Sequence, residues 1–204
     1  MFIPKSFEVT DSNLIFEWLD LYSFATLVSS NSDRLTATHL PLLVTEDKSK
    51  LIGHMARNND QWKELSGREG MAIFQGPHHY ISPSWYETKD AVPTWNYISV
   101  HVYGKFQILE QEDLLIESLA RLTQKYESSQ SNYQLEIVES QYLASLRKGI
   151  IGFEMNIQKI EAKAKLSQNH SVTRQKLVIT ELEKLQNENA LALASWMREI
   201  LNPK

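Results

Sequence analysis

Three stretches of this sequence concentrate side chains able to do chemistry. GHMARNNDQW, residues 53–62, carries His54, Arg57, Asn58 and Gln61 from the end of a strand pattern into a helix start. A guanidinium is a rigid fork of donors and a helix N-terminus adds free N–H groups, so this spacing suits an anion such as a phosphate. Capping of a surface helix by Asn59 or Asp60, with Arg57 in solvent, accounts for the same residues. KAKLSQN, residues 163–169, brings Lys165, Ser167, Gln168 and Asn169 to the end of another strand pattern. Charge, hydroxyl and amide groups before a helix suit a phosphate or a polyol chain, and capping of a helix that starts near Ser171 explains part of the same pattern. The third stretch, 75–97, sets Tyr80, Trp85, Tyr86, Trp95 and Tyr97 among Pro77, Pro83 and Pro93. Its rings suit a flat ligand or a subunit contact, and equally a packing cluster under a long loop.

Other chemistries find less support. The histidines at 39, 54, 78, 79, 101 and 170 form no HExxH or comparable helical pair, so no metal site is expected. Ser84 lacks the GxSxG elbow of a hydrolase, and no GxGxxG opens a helix after a strand. The absence of cysteine excludes disulfides, thiolate nucleophiles and iron–sulfur clusters. No residue is marked as catalytic.

The elements that must position these residues follow from apolar periodicity. Thr10 is placed to cap a helix carrying Leu14, Ile15, Trp18, Leu19 and Tyr22. FATLVSS (24–30) and LTATHLPLLV (35–44) read as a β-hairpin across the turn NSD, followed by a strand at KLIGHMA (50–56). Pro41 cannot donate to a ladder, which puts the second hairpin strand at an edge or a bulge. A short helix around DQWKEL precedes a strand at 70–76. The clearest strand, about 95–109, keeps Ile98, Val100, Val102, Phe106 and Ile108 on one face. Helices are expected at 111–127 and at ESQYLASLRKG, ending at Gly149. Residues 150–166 alternate as a strand whose parity switches near Gln158, which a bulge would explain, and one or two helices close the chain. Many strands, two helices, one long strand and final helices make a mainly β, α+β chain, better suited to a barrel decorated by helices than to βαβ units.

The 204 residues allow one domain, and 42% hydrophobic with 23% charged residues is ordinary for a globular chain. A net charge of −4 does not support nucleic acid as a partner, and no apolar run is long enough to span a bilayer, so a cytoplasmic address is expected.

Taken in order, MFIPKSFE (1–8), ATHLPLL (37–43), GHMARNNDQW (53–62), IFQGPHHYISPSWY (73–86), VPTWNYISVHVYG (92–104), IIGFEM (150–155) and KLSQN (165–169) resemble the PaiB family of FMN-binding negative transcriptional regulators. The resemblance implies an FMN-binding split β-barrel with inserted helices over residues 1–169 and a C-terminal helical extension over 170–204. It implies a homodimer with FMN at the subunit interface. Arg57, Asn58, Gln61 and Lys165 are then expected at the phosphate, and Thr38, His39 and Leu40 along the isoalloxazine. His54 joins the binding set, Trp95 and Asn96 face the flavin or the partner, and Ser167, Gln168 and Asn169 complete the polar shell. Ala164 stands where relatives carry a bulky aromatic and His170 where a basic residue is common, so a weakened flavin site is expected. The family role is repression of transcription; the alternative is a flavin-dependent oxidoreductase of the NAD(P)H:flavin reductase or oxidase type with no direct DNA role.

Overall fold

In the computed structural model, described for residues 1–31, 34–109, 112–127, 131, 133 and 148–202, seven strands form one sheet. They are β1 (Phe24–Asn31), β2 (Arg34–Pro41), β3 (Leu43–Val44), β4 (Lys50–Ala56), β5 (Glu69–Ile81), β6 (Thr94–Ile108) and β7 (Ile150–Lys165). The helices are α1 (Ser12–Leu21), α2 (Gln61–Leu65), α3 (Glu112–Tyr126), α4 (Val172–Lys184) and α5 (Glu188–Leu201). The expected helix at ESQYLASLRKG lies outside the described residues except for its last two positions, which form a turn. Two compact units are distinguished: a terminal unit of Met1–Ile15, Gln75–Val100 and Glu161–Lys204, and a central unit of Phe16–Phe74 and His101–Ile160.

The strand order is β2-β1-β5-β6-β7-β4-β3, with β2 at one edge and β3 at the other, both edge strands lying in the central unit. Only Leu42 separates these two edge strands in the chain, so the sheet must curl until its margins meet, as a barrel does. Gly53 of β4 marks the seam: a Cβ there would come within 2.7 Å of Leu42 Cδ2 and 3.2 Å of the Pro41 carbonyl. Of the edge and the bulge that Pro41 allowed, the edge is observed, with Pro41 opposite Phe24 at the end of the β1–β2 ladder. β4 runs antiparallel to β7 from Lys50↔Asn156 to Ala56↔Ile150. Leu27, Leu51, Phe106 and Phe153 fill the interior, the two phenyl rings stacking with centroids 4.4 Å apart. Removing that much apolar surface from water drives the closure.

Two local expectations are corrected. Asp11, not Thr10, caps α1: its carboxylate accepts from Asn13 N at 2.9 Å and Leu14 N at 3.4 Å. Aspartate places an acceptor and a negative charge at the helix start, which a threonine one residue earlier cannot reach. The strand expected at 70–76 continues through Pro77 to Ile81. The β1 ladder on β5 is confined to Met71–Ile73, so the missing N–H of Pro77 falls beyond it. The parity switch in β7 is present, with successive exposed residues Gln158 and Lys159 between the buried odd set 151, 153, 155 and the buried even set 162, 164, 166.

In the terminal unit, α4 and α5 form a helical hairpin. Ser171 caps α4 by accepting from Arg174 N, and Asn187 caps α5 by accepting from Ala190 N. Val178, Ile179 and Leu182 meet Leu193, Ala194 and Met197 in a buried seam, and Arg198 pairs with Glu183 at 2.7 Å on the exposed side.

Candidate functional site

The candidate residues fall into two clusters, one in each unit. In the central unit the loop after β4 carries Arg57, whose backbone N–H reaches the Gly149 carbonyl at 2.8 Å. Its side chain continues this attachment, Nε donating to the Lys148 carbonyl at 2.6 Å and Nη2 to the Ile150 carbonyl at 3.0 Å. A guanidinium has five N–H groups, so three remain uncommitted on an exposed side chain whose orientation the two carbonyls fix. Asn58 beside it is exposed, and its amide has no hydrogen-bond partner among the described residues.

Gln61 has a different role from the one its spacing suggests. It is 1% exposed, and the two N–H groups of its amide are shared among the Leu27 carbonyl, Ser29 Oγ and the Thr36 carbonyl at 3.0–3.1 Å. The side chain ties α2 to the β1–β2 hairpin and is not offered to solvent. Asn59 does the capping, accepting from Gln61 N at 3.0 Å while its Nδ2 donates to Thr38 Oγ1 at 2.8 Å. Leu40 is buried by its side chain, so only its backbone on edge strand β2 is on offer. His39 is exposed, bonds Thr26 Oγ1 through Nδ1 at 3.0 Å and stacks on the exposed ring of Phe24. His54 on β4 is half-buried with Nδ1 shielded and unpartnered, and desolvation holds its imidazole below the usual range.

In the terminal unit, Lys165 at the end of β7 donates to Thr94 Oγ1 and to the Trp95 carbonyl at 2.7 Å, leaving one N–H uncommitted. Burial, and then the charge of Lys163, hold its ammonium below the usual lysine value. Asn96 is fully buried and donates to Ser167 Oγ at 2.9 Å, with Ser167 at φ 68° in the left-handed region. Gln168 is spent on the turn: Oε1 accepts from Leu166 N at 2.7 Å and Nε2 donates to the Ala164 carbonyl at 2.6 Å. Ala164 itself is fully buried. Trp95 is 53% exposed, and the edge of one ring of the Trp95–Tyr80 pair meets the face of the other at 6.2 Å.

Lys165, Asn96, Ser167 and Asn169 line one cleft of about 370 Å³, together with Tyr86, His170 and Arg174. Tyr86 stands in the aromatic stretch and His170 in the weakened shell expected from the sequence, whereas Arg174 carried no such expectation; its i, i+4 spacing from His170 at a helix start is the signal that could have found it.

A family model described as "Putative FMN-binding domain" matches residues 1–159. The chain is 40% identical over 205 residues to "Protease synthase and sporulation protein PAI 2" of Bacillus subtilis (strain 168), covering 98% of both chains. Among solved structures, the FAD and heme binding protein from Mycobacterium smegmatis aligns with a TM-score of 0.62 at 14% identity, over 83% of this chain and 78% of the other. The flavocytochrome Anf3 from Azotobacter vinelandii gives 0.61 at 12% identity, over 78% and 69%. At such identities the two structures speak for the fold alone, a split β-barrel. With the family model spanning most of the sequence and a relative matching end to end, the chain belongs to this FMN-binding-domain family, and FMN is its cofactor.

Proposed function

We propose that this chain is an FMN-binding regulatory protein, homodimeric, that acts as a negative regulator of transcription with the flavin as ligand or redox sensor. The observation that carries the flavin site is Arg57: a charged fork held in one orientation by two backbone carbonyls, with three N–H groups unspent beside the free amide of Asn58. That donor set fits a phosphate, because the orientation is fixed before the ligand arrives and little rotamer entropy is left to lose. Thr38, His39 and Leu40 lend strand-edge backbone to the isoalloxazine. His54 contributes an imidazole whose pKa desolvation lowers and whose Nδ1 is buried with no partner among the described residues. Gln61 acts indirectly, by fixing α2 behind the Arg57 loop. When bound, FMN supplies the electron-transfer chemistry.

The dimer reading draws support from the terminal unit, which exposes the large apolar side chains Phe2, Tyr80, Val92 and Trp95. The regulatory role draws on the end-to-end relative and the family resemblance. Direct contact with DNA has little support from charge: 21 basic against 25 acidic residues leave the chain net negative. Among the described residues no helix is long and apolar enough to cross a membrane.

The test is a visible spectrum and light-scattering mass of the native preparation, followed by anaerobic mixing with NADH or NADPH. A yellow dimer that keeps its flavin colour, and that changes promoter occupancy in cells when the chain is deleted, supports the regulator. Rapid bleaching with turnover makes the protein an oxidoreductase instead.

A further inference from the structure

The terminal-unit cleft has a chemistry of its own. Lys165, His170 and Arg174 bring basic groups to it, Phe7, Val92 and Pro93 give it an apolar side, and Asp90 stands exposed among its lining residues. Arg174 is gripped by Glu87, Nη2 to Oε1 at 3.0 Å and Nε to the same oxygen at 3.2 Å. This fixes the guanidinium 4.8 Å over the Tyr86 ring, with Nη1 3.4 Å from His170 Nδ1. The Tyr86 hydroxyl is buried and has no hydrogen-bond partner among the described residues. Buried hydroxyls are rarely left unsatisfied, and this one belongs to a residue of the cleft lining, so an acceptor brought by a ligand would satisfy it.

Electrostatics point the same way. Burial, then the charge of Arg174, hold His170 below the usual imidazole range, partly opposed by Glu87, with Lys165 the smallest contribution. Burial and Lys163 do the same to Lys165. Lys165 and Arg174 both act on the His170 ring, and an anion beside it would favour the protonated imidazole.

We propose that this cleft binds a small organic anion, its acidic head among Lys165, His170 and Arg174 with the Tyr86 hydroxyl as a further donor, and its body against Phe7, Val92 and Pro93. The volume of about 370 Å³ lies at the small-molecule end of ligand pockets. The inference does not depend on Arg57 holding the flavin phosphate.

The test uses the full-length, flavin-loaded protein and calorimetric titration with benzoate, benzyl alcohol and inorganic phosphate, alongside NMR titration of the His170 ring. Benzoate is expected to bind at least tenfold more tightly than benzyl alcohol and to raise the His170 pKa. Tyr86→Phe, which removes one oxygen and keeps the ring under Arg174, is expected to weaken benzoate at least fivefold; Lys165→Gln should weaken it more. Equal binding of benzyl alcohol, or a Tyr86→Phe variant indistinguishable from wild type, overturns the proposal. Phosphate binding as tight as benzoate removes the apolar part of it. Benzoate that binds only flavin-free protein and is displaced by FMN gives the cleft to the flavin, an outcome separable from the Arg57 reading because Arg57→Ala would then leave FMN affinity intact.

Discussion

Arg57→Ala is the most direct probe of the flavin site, and its size can be worked from the geometry. The substitution removes three uncommitted guanidinium N–H groups and two that are spent on the carbonyls of Lys148 and Ile150. Those two contacts are exposed, so water replaces them and the cost to folding stays at about 1 kcal/mol or less. Hydrogen bonds to a charged group are each worth about 1.5–3 kcal/mol, so loss of one phosphate contact should weaken FMN by roughly 10- to 150-fold. The assay is quenching of flavin fluorescence on titration with FMN and, in parallel, with riboflavin, which lacks the phosphate. In wild type FMN should bind far more tightly than riboflavin; in Arg57→Ala that preference should shrink by the same factor while riboflavin affinity is unchanged. Arg57→Lys should fall between, because an ammonium keeps the charge but has three N–H groups in place of five and no planar fork to meet the phosphate. An FMN-to-riboflavin ratio that stays the same in the alanine variant refutes the assignment, whatever happens to affinity in general.

Gln61→Ala should destabilise the fold by about 2–4 kcal/mol in urea unfolding, since it opens a cavity and removes the buried amide that bonds the Leu27 and Thr36 carbonyls. FMN affinity measured on the folded fraction should move much less than for Arg57→Ala. Gly104→Ala should prevent folding or cost about 3 kcal/mol or more, because the added carbon would sit 2.2 Å from the Asn156 carbonyl oxygen, read as loss of soluble protein or a large drop in melting temperature. Stability should fall with acid: His54 and His170 both have folded pKa values below 6.5, so the unfolded chain binds the extra protons. Their contribution is whole above pH 6.5 and is lost as pH drops through that value towards the folded pKa. Urea midpoints at pH 7.5, 6 and 5 measure it, and His54→Gln should flatten the dependence; a midpoint that rises on acidification contradicts the burial argument.

Much of this protein was legible locally. The alternation of Ile98, Val100 and Val102 placed β6 and its buried face, because a strand presents every second residue to one side. Pro41 narrowed its strand to an edge or a bulge through its missing donor, and the ordered motifs carried the family. What the sequence left open were questions of partnership. Gln61 and Arg57 look alike as polar residues of one loop, yet one is buried under the β1–β2 hairpin and the other is steered outward by carbonyls about ninety residues later in the chain. Likewise Gln168 is consumed by its own turn, whereas Tyr86 and the His170–Arg174 pair come to one cleft from two separate segments. Periodicity and turn chemistry are written in neighbouring residues, whereas the fate of a donor depends on which acceptors the closed barrel and the helical hairpin bring within 3 Å, and only tertiary structure decides that.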